Sequence, residues 1–171
     1  MGRLSEVESN RVYERMVQAE VRSFYYEELA SRYSKLKQLL AGTSFFLSSA
    51  AAATIVSQLP TLIPIVASVT VALANAYSIA VGLDRKVLIL SKLHGQWSRI
   101  SSDAEHLWVH WYENDAEAEL VDLVNRSREA SETGTTDAPY EPQTLRKWED
   151  YVFKLRGLTT AVQHEPASIR A

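Results

Sequence analysis

The longest feature in the pattern of hydrophobic and polar positions is a stretch without any ionisable residue. From Gln38 to Leu83 the chain contains no Lys, Arg, Asp, Glu or His, although 23% of all residues are charged. Pro60 and Pro64 lie near its middle, and two prolines four residues apart favour a helix boundary over a helix interior. The pattern therefore predicts two helices, over 39–58 and 62–83. Each is close to the ~20 residues that cross a bilayer core, so we interpret the pair as a transmembrane hairpin.

A soluble alternative exists for the same stretch. Both segments are rich in Ala, Ser and Thr, and a hairpin buried inside a soluble helical bundle would also lack charge. A soluble hairpin of this length normally carries ions on its outer face, however, and this stretch has none. The membrane interpretation is therefore favoured.

The segment before the hairpin predicts one long amphipathic helix over 5–37. Ser5 and Glu8 form a capping-box pattern, and no Gly or Pro follows until Gly42. Apolar residues then recur at steps of three and four, as on one face of a helix: Tyr13, Val17, Val21, Tyr25, Leu29, Tyr33, Leu36 and Leu40. The aromatic run from Phe24 to Tyr26 is expected to pack against another helix, or to dock a partner.

A heptad pattern follows the hairpin and predicts a long coil over 84–128. Its seam comprises Leu90, Leu93, Trp97, Ile100, Ala104, Leu107, Trp111, Asn114, Ala118 and Val121. Trp97 and Trp111 are the largest packing residues of this seam, and Asn114 is its one polar member, of the kind that fixes register. We expect the coil to continue the second hairpin helix without a break and to pack antiparallel on the helix over 5–37.

The C-terminal part is predicted to be less regular. Residues 131–142 have the composition of a linker, with Gly, two Pro, hydroxyls and acids. Residues 143–158 predict one short amphipathic helix, and 159–171 are expected to fray. The predicted fold is thus an all-α membrane protein, in which residues 5–128 form one unit.

Small residues are patterned within the second hairpin helix. Ser68, Ala72, Ala76 and Ala80 stand four apart, and so do Ala74, Ser78 and Gly82, which permits close approach of helix backbones. Asn75 is the most polar side chain at its depth, so it is expected to face protein or water. It either makes an interhelical hydrogen bond or lines a pore in an oligomer. Because two helices alone cannot enclose a pore, the faces of small residues predict a homo-oligomer.

Charge and composition limit the kinds of partner and site that can be expected. The net charge of −3 gives no reason to expect a nucleic-acid partner, and the absence of Cys excludes disulfides and Cys-ligated metals. Basic residues flank the hairpin at Arg32, Lys35, Lys37, Arg85, Lys86 and Lys92, which predicts cytoplasmic termini and a lipid bilayer as partner.

No catalytic motif or cofactor site is apparent, so we expect neither an enzyme nor a cofactor. One stripe, comprising Asp103, His106, His110 and Glu113, has the spacing of metal ligands on a helix. A solvated flank carrying ion pairs explains the same pattern, so no metal is predicted.

The order of elements resembles the SLATT family of bacterial effectors with two transmembrane helices, which associate with SMODS and SLOG domains. The resemblance covers about Glu14 to Glu119 and includes the run from Phe24 to Lys37 that enters the first predicted span. It implies a pore-forming effector of an anti-phage cell-suicide system in the bacterial inner membrane, triggered by a nucleotide-signalling enzyme or sensor. Two alternatives are a non-conducting, membrane-anchored coiled-coil scaffold and a soluble helical bundle.

Overall fold

The computed structural model describes residues 4–56, 62–113 and 115–158. This part of the chain contains five helices and no strand: α1 (Glu6–Val56), α2 (Leu62–Val81), α3 (Leu83–Val109), α4 (Ala116–Asp137) and α5 (Pro142–Leu155). The all-α prediction is confirmed. Asn114, the predicted turn at 59–61 and the predicted tail at 159–171 lie outside the described residues.

The contacts divide the chain into two compact units. One, called here the four-helix unit, contains residues 4–25, which include the first part of α1, together with the chain from Leu93 onward. The other, called the hairpin unit, spans Tyr26–Lys92 and holds the rest of α1, all of α2 and the start of α3.

Within the four-helix unit, α1 and α3 run antiparallel. Tyr13 lies against Trp108 near one end, with ring centroids 5.4 Å apart. Near the other end, Ser23 Oγ lies 3.3 Å from Nδ1 of His94. α4 returns along α3, as the ion pair between Arg126 and Asp103 shows.

The core of this unit is formed by regularly spaced apolar residues. The predicted seam residues Leu93, Trp97, Ile100, Ala104 and Leu107 are all buried, as α3 presents them on one face. They are joined in the core by Val12, Met16, Val17 and Val21 of α1, Leu123 of α4 and Val152 of α5.

The coil predicted over 84–128 is wrong beyond Leu107, because the chain turns back between α3 and α4. Trp111 is 37% exposed and Val121 is 57% exposed, so both have left the seam. The Trp111 carbonyl accepts a hydrogen bond from the Leu4 N–H at 3.2 Å, which ties the turn to the start of the chain. The heptad pattern continues across the turn, but folding back lets α4 bury Leu123 and Ala130 beside α3.

The linker predicted over 131–142 is also wrong in its first half, because α4 continues to Asp137. The hydroxyls of Thr133 and Thr135 donate to carbonyls one turn back, at 3.0 and 2.8 Å. Gly134 is buried, so the missing side chain permits close packing. Tertiary packing thus outweighs the weak helix propensity of these residues. α5 then begins at Pro142, where the fixed φ of proline suits a first helical position.

The capping box predicted at the start of α1 is confirmed. Oε2 of Glu8 accepts from the Ser5 N–H at 2.8 Å and from the Ser5 hydroxyl at 2.7 Å. In return, the Glu8 N–H donates to Ser5 Oγ at 3.3 Å. The backbone bond and then the hydroxyl bond lower the pKa of Glu8, since both stabilise its charged form.

This lowered pKa predicts a pH-dependent contribution to stability. A carboxyl group with a depressed pKa in the folded state stabilises above its unfolded pKa, and that stability is lost as the pH falls through the folded value. Glu8→Ala should therefore lower the thermal midpoint most at neutral pH, and the difference from wild type should narrow toward about pH 2.

The measurement is thermal unfolding by circular dichroism across that pH range. Glu6→Ala is the matched control, because it removes the same charge from the same turn and leaves the Glu8 carboxylate, which makes the capping bonds to Ser5, in place. An equal narrowing for both variants would rule out the capping bonds as the cause.

Candidate functional site

The uncharged stretch forms two antiparallel helices in the hairpin unit. Near the middle, Ser44 Oγ of α1 donates to Oδ1 of Asn75 on α2 at 3.4 Å. At the charged end, Nζ of Lys37 lies 2.6 Å from Oδ1 of Asp84. Lys37 and Asp84 are also the residues that bound the stretch in the sequence, so its two ends meet at one level.

One face of α2 packs within the hairpin, and it consists of small residues. Ala67 is buried, while Val71, Ala74 and Ser78 are half-buried, at steps of four, three and four. These steps define a single helix face. The remaining circumference of the described α2 is largely exposed.

The exposed part of this helix pair is uncharged and carries many large apolar side chains, which is unusual for a protein surface. Phe45 and Phe46 are more than 70% exposed on α1, and Ile79 is 80% exposed on α2. Other exposed large apolar residues of the pair are Leu39, Leu62, Ile65, Val66, Val69, Leu73 and Tyr77. Contiguous apolar surface of this kind marks contact with a membrane or a partner protein.

The structure separates the two rows of small residues that the sequence singled out. Ala74 and Ser78 belong to the packed face, whereas Ser68, Ala72, Ala76 and Ala80 are exposed. Asn75 is exposed beside the packed face and makes the bond to Ser44. This interhelical bond is the first of the two roles predicted for Asn75. The exposed row leaves a narrow ridge along the outside of α2.

Two hydroxyl groups in the helix pair are satisfied by the helix that carries them. Ser49 Oγ donates to the Phe45 carbonyl and Thr70 Oγ1 to the Val66 carbonyl, each at 2.9 Å. Such bonds one turn back remove the need for water at these positions. This arrangement is compatible with an apolar environment, where an unpaired polar group is costly.

Gly82 has a different role from the one predicted. It was expected to lie within one unbroken helix, in the row that also holds Ala74 and Ser78. Instead its φ is +63°, in the left-handed region, and α2 ends at Val81 while α3 begins at Leu83. Glycine adopts this conformation without the penalty that a Cβ brings, so Gly82 breaks the helix.

A test of length and composition gives a mixed result for membrane spans. Within the described residues, no single helix is both long and apolar enough to cross a membrane. One pair of helices is long and apolar enough when its members are taken together. The pair consists of Ile65–Val81 and Leu83–Val109, with a bend of 43° at the break between them.

The metal-ligand stripe is not assembled, and no group of three potential ligands occurs in the described chain. Asp103 is paired with Arg126, and the hydrogen bond between them raises the pKa of Arg126. Because α3 ends at Val109, His110 and Glu113 leave the helical stripe. His110 stacks on His106 with ring centroids 4.3 Å apart.

Trp97 and Trp111, both predicted to pack in the coil, lie in different environments. Trp97 is 3% exposed in the core of the four-helix unit, whereas Trp111 lies in the turn after α3. The aromatic run of α1 packs internally, since Phe24 stacks on Trp148 of α5 at 5.0 Å. The Tyr25 hydroxyl donates to the Pro139 carbonyl at 3.0 Å.

The four-helix unit also contains a basic cavity that the sequence pattern did not predict. Its lining includes Arg15 and Arg22 of α1 and Arg128 of α4. The sequence does contain a signal for part of this cavity. On α1, a basic and polar face is indicated by steps of four, three and four between Arg11, Arg15, Gln18 and Arg22. The contribution of Arg128 depends on the turn after α3, which the sequence did not predict.

Comparison of the chain with protein-family models, with curated proteins and with solved structures finds no match. The resemblance to the SLATT family therefore depends on the order of helices and on the residues already quoted.

The break at Gly82 predicts opposite effects for two glycine substitutions. Gly82→Ala forces a Cβ into the left-handed region and should destabilise the fold by about 1–2 kcal/mol. Gly95→Ala lies inside α3 with nothing near the added methyl group, so it should stabilise by about 1 kcal/mol. Gly82→Asn should cost less than Gly82→Ala, since Asn tolerates this conformation better.

Thermal midpoints of the three variants, measured in one buffer and detergent, test this expectation. Stabilisation by Gly82→Ala comparable to that by Gly95→Ala would mean that α2 and α3 form a continuous helix.

Proposed function

We propose that this chain is a membrane-inserted, homo-oligomeric effector that forms a pore in the bacterial inner membrane, with both termini in the cytoplasm. The observation that carries the proposal is the uncharged helix pair of α1 and α2, whose exposed large side chains among the described residues are apolar, from Leu39 to Phe46 on α1 and from Ile65 to Ile79 on α2. Water is a poor solvent for such a surface, whereas lipid tails match it.

The charge distribution supports the same placement. Lys37 and Asp84 meet where the uncharged stretch ends, and basic residues continue on both helices with Arg32, Lys35, Arg85 and Lys86. Nζ of Lys86 also lies 5.5 Å from the centroid of the Tyr33 ring, on the same side of the boundary. Basic and aromatic side chains near the end of a span are typical of the cytoplasmic interface.

The role in anti-phage defence, and the trigger by a nucleotide-signalling partner, follow from the resemblance to the SLATT family. Pore formation requires several copies, because a pair of helices cannot enclose a channel. The exposed ridge of Ser68, Ala72, Ala76 and Ala80 supports self-association, since small residues let helix backbones approach closely in lipid.

A charge placed on the outward face of α2 tests membrane insertion. Leu73 is 66% exposed near the middle of α2, so Leu73→Arg would place a cation at the centre of a span. Such a residue costs about 2.5–3.5 kcal/mol on insertion scales, so we expect this variant to be depleted from carbonate-washed membranes. On the surface of a soluble bundle, the same change would be nearly neutral.

Leu88→Arg is the matched control. Leu88 is 71% exposed on α3, but it lies beyond Asp84 on the charged side of the boundary. It should remain in the membrane fraction like the wild type. Recovery of the wild type in the soluble fraction would contradict insertion.

Pore formation is tested by a membrane-potential dye in expressing cells. Ala76→Leu enlarges the outward ridge and Asn75→Leu removes the amide, so both should abolish depolarisation while the chain stays inserted. Val69→Leu is the control, because it changes one exposed apolar side chain of α2 for another. Insertion without depolarisation by the wild type and all three variants would instead favour the non-conducting scaffold.

A further inference from the structure

The four-helix unit contains a cavity of about 280 Å³ whose charged lining residues are all cationic. Arg15 and Arg22 come from α1 and Arg128 from α4, while Trp97 of α3 forms part of the wall. Gln18, Ser127 and Ser131 add polar groups, and no carboxylate of the described chain lines the cavity.

Arg22 is held in place by neutral groups. Its Nη1 donates to Ser131 Oγ at 2.7 Å, and its Cζ lies 4.5 Å from the centroid of the Trp97 ring. A guanidinium carries five N–H donors in a rigid plane, so one hydrogen bond leaves most of them for another acceptor. The planar group is therefore fixed and keeps its charge.

These arginines make no ion pair within the described residues. In the described part of the chain, no ion pair joins a carboxylate to Arg15, Arg22 or Arg128. Arg128 differs in this from Arg126, two residues earlier on α4. Arg126 pairs with Asp103 at 2.5 Å and with Asp122 at 2.8 Å.

The Trp97 side chain forms a wall beside the arginines. It is 3% exposed, and its indole N–H is buried without a hydrogen-bond partner in the described residues. Because this nitrogen has almost no exposed surface, it does not reach a solute in the cavity, and Trp97 contributes its ring face to Arg22 instead.

A second cavity of the same unit provides a contrast. It measures about 440 Å³ and is lined by Asp103, His106, Glu119, Asp122 and Arg126, so acids outnumber the single arginine. Arg126 pairs with Asp103 and Asp122, and the formal charge of this lining is negative. The excess of positive charge is therefore a property of the Arg22 cavity and not of the unit as a whole.

We propose that this cavity binds a small anion bearing a diphosphate group, held by Arg15, Arg22 and Arg128. Guanidinium groups match phosphate oxygens in bidentate geometry, and three of them balance the charge of a diphosphate. The volume lies just below the range typical of ligand pockets, so it suits the phosphate part of a small molecule. The diphosphate belongs either to inorganic pyrophosphate or to a nucleoside diphosphate.

The proposed site does not depend on membrane insertion, because every lining residue lies in the four-helix unit. Failure of the insertion experiment would leave it intact, and its own failure would leave the pore proposal intact.

The test is calorimetric titration of sodium pyrophosphate into the purified full chain at low and at high salt. Arg22→Gln should weaken binding about tenfold or more, as expected for loss of a charge-assisted contact. Arg128→Gln should weaken it several-fold, and because Arg128 is exposed, this change spares the fold. Arg22→Lys should be intermediate, since it keeps the charge but loses the planar fork.

Arg99→Gln is the matched control, because Arg99 is exposed on α3 and does not line the cavity. Its affinity should stay within about twofold of the wild type, since exposed charges act weakly at a distance. A loss with Arg99→Gln equal to that with Arg128→Gln would overturn the site in favour of general attraction to positive charge. Absence of pyrophosphate binding by the folded wild type would also overturn it.

Titration of ADP in parallel distinguishes the two sources. Tighter binding of ADP than of pyrophosphate supports the site and assigns it to a nucleoside diphosphate. Equal or weaker binding of ADP supports the site with the inorganic anion as its ligand.

Discussion

The four-helix unit depends on the burial of one face of α3. From Leu93 to Leu107 this face is covered on all sides, with Leu93, Leu107 and Ala104 at 1% exposure or less. A single partner helix cannot cover a face so completely, and both α1 and α4 contact α3. Burial of a Leu side chain contributes about 1.5–3 kcal/mol, which makes this face a large share of the stability of the unit.

Polar contacts then determine where the outer helices attach. The Tyr25 hydroxyl joins both sides of the bend before α5, because it donates to the Pro139 carbonyl and accepts from the Glu141 N–H at 2.9 Å. Arg156 at the end of α5 pairs with Glu20 at 3.0 Å, with both side chains mostly buried. An arginine–carboxylate pair of this kind contributes more to the position of the end of α5 on α1 than to net stability, because desolvation offsets much of its attraction.

Much of the secondary structure could be predicted from the sequence, because periodicity and capping are local properties. The Ser5–Glu8 cap and the burial of the seam up to Leu107 followed from spacing alone, as did the absence of strands from the part of the chain that the structure describes. The turn after Val109 did not, since the heptad pattern continues through it. Only the gain from folding α4 back on α3 distinguishes the two outcomes, and that gain is tertiary.

The candidate sites show the same division between local and tertiary information. Spacing placed Asp103 and His106 on one stripe, but it could not show that Arg126 would approach Asp103 from another helix. Likewise, Arg15 and Arg22 share a face of α1, whereas the convergence of Arg128 and Trp97 on them depends on the path of the chain. The break at Gly82 was missed because glycine is tolerated inside helices, and its positive φ is visible only in the structure.

The two rows of small residues on α2 bear on why the helix pair would assemble. Ala74 and Ser78 are used within one hairpin, and their size explains how α1 and α2 approach each other. Contact with lipid alone would favour larger side chains, such as those at Val69 and Leu73, because lipid gives no advantage to small ones. Ala72 and Ala76 interrupt that larger surface with a ridge of small side chains. Their size is accounted for by the proposed self-association, in which a second copy of the hairpin approaches closely at this ridge.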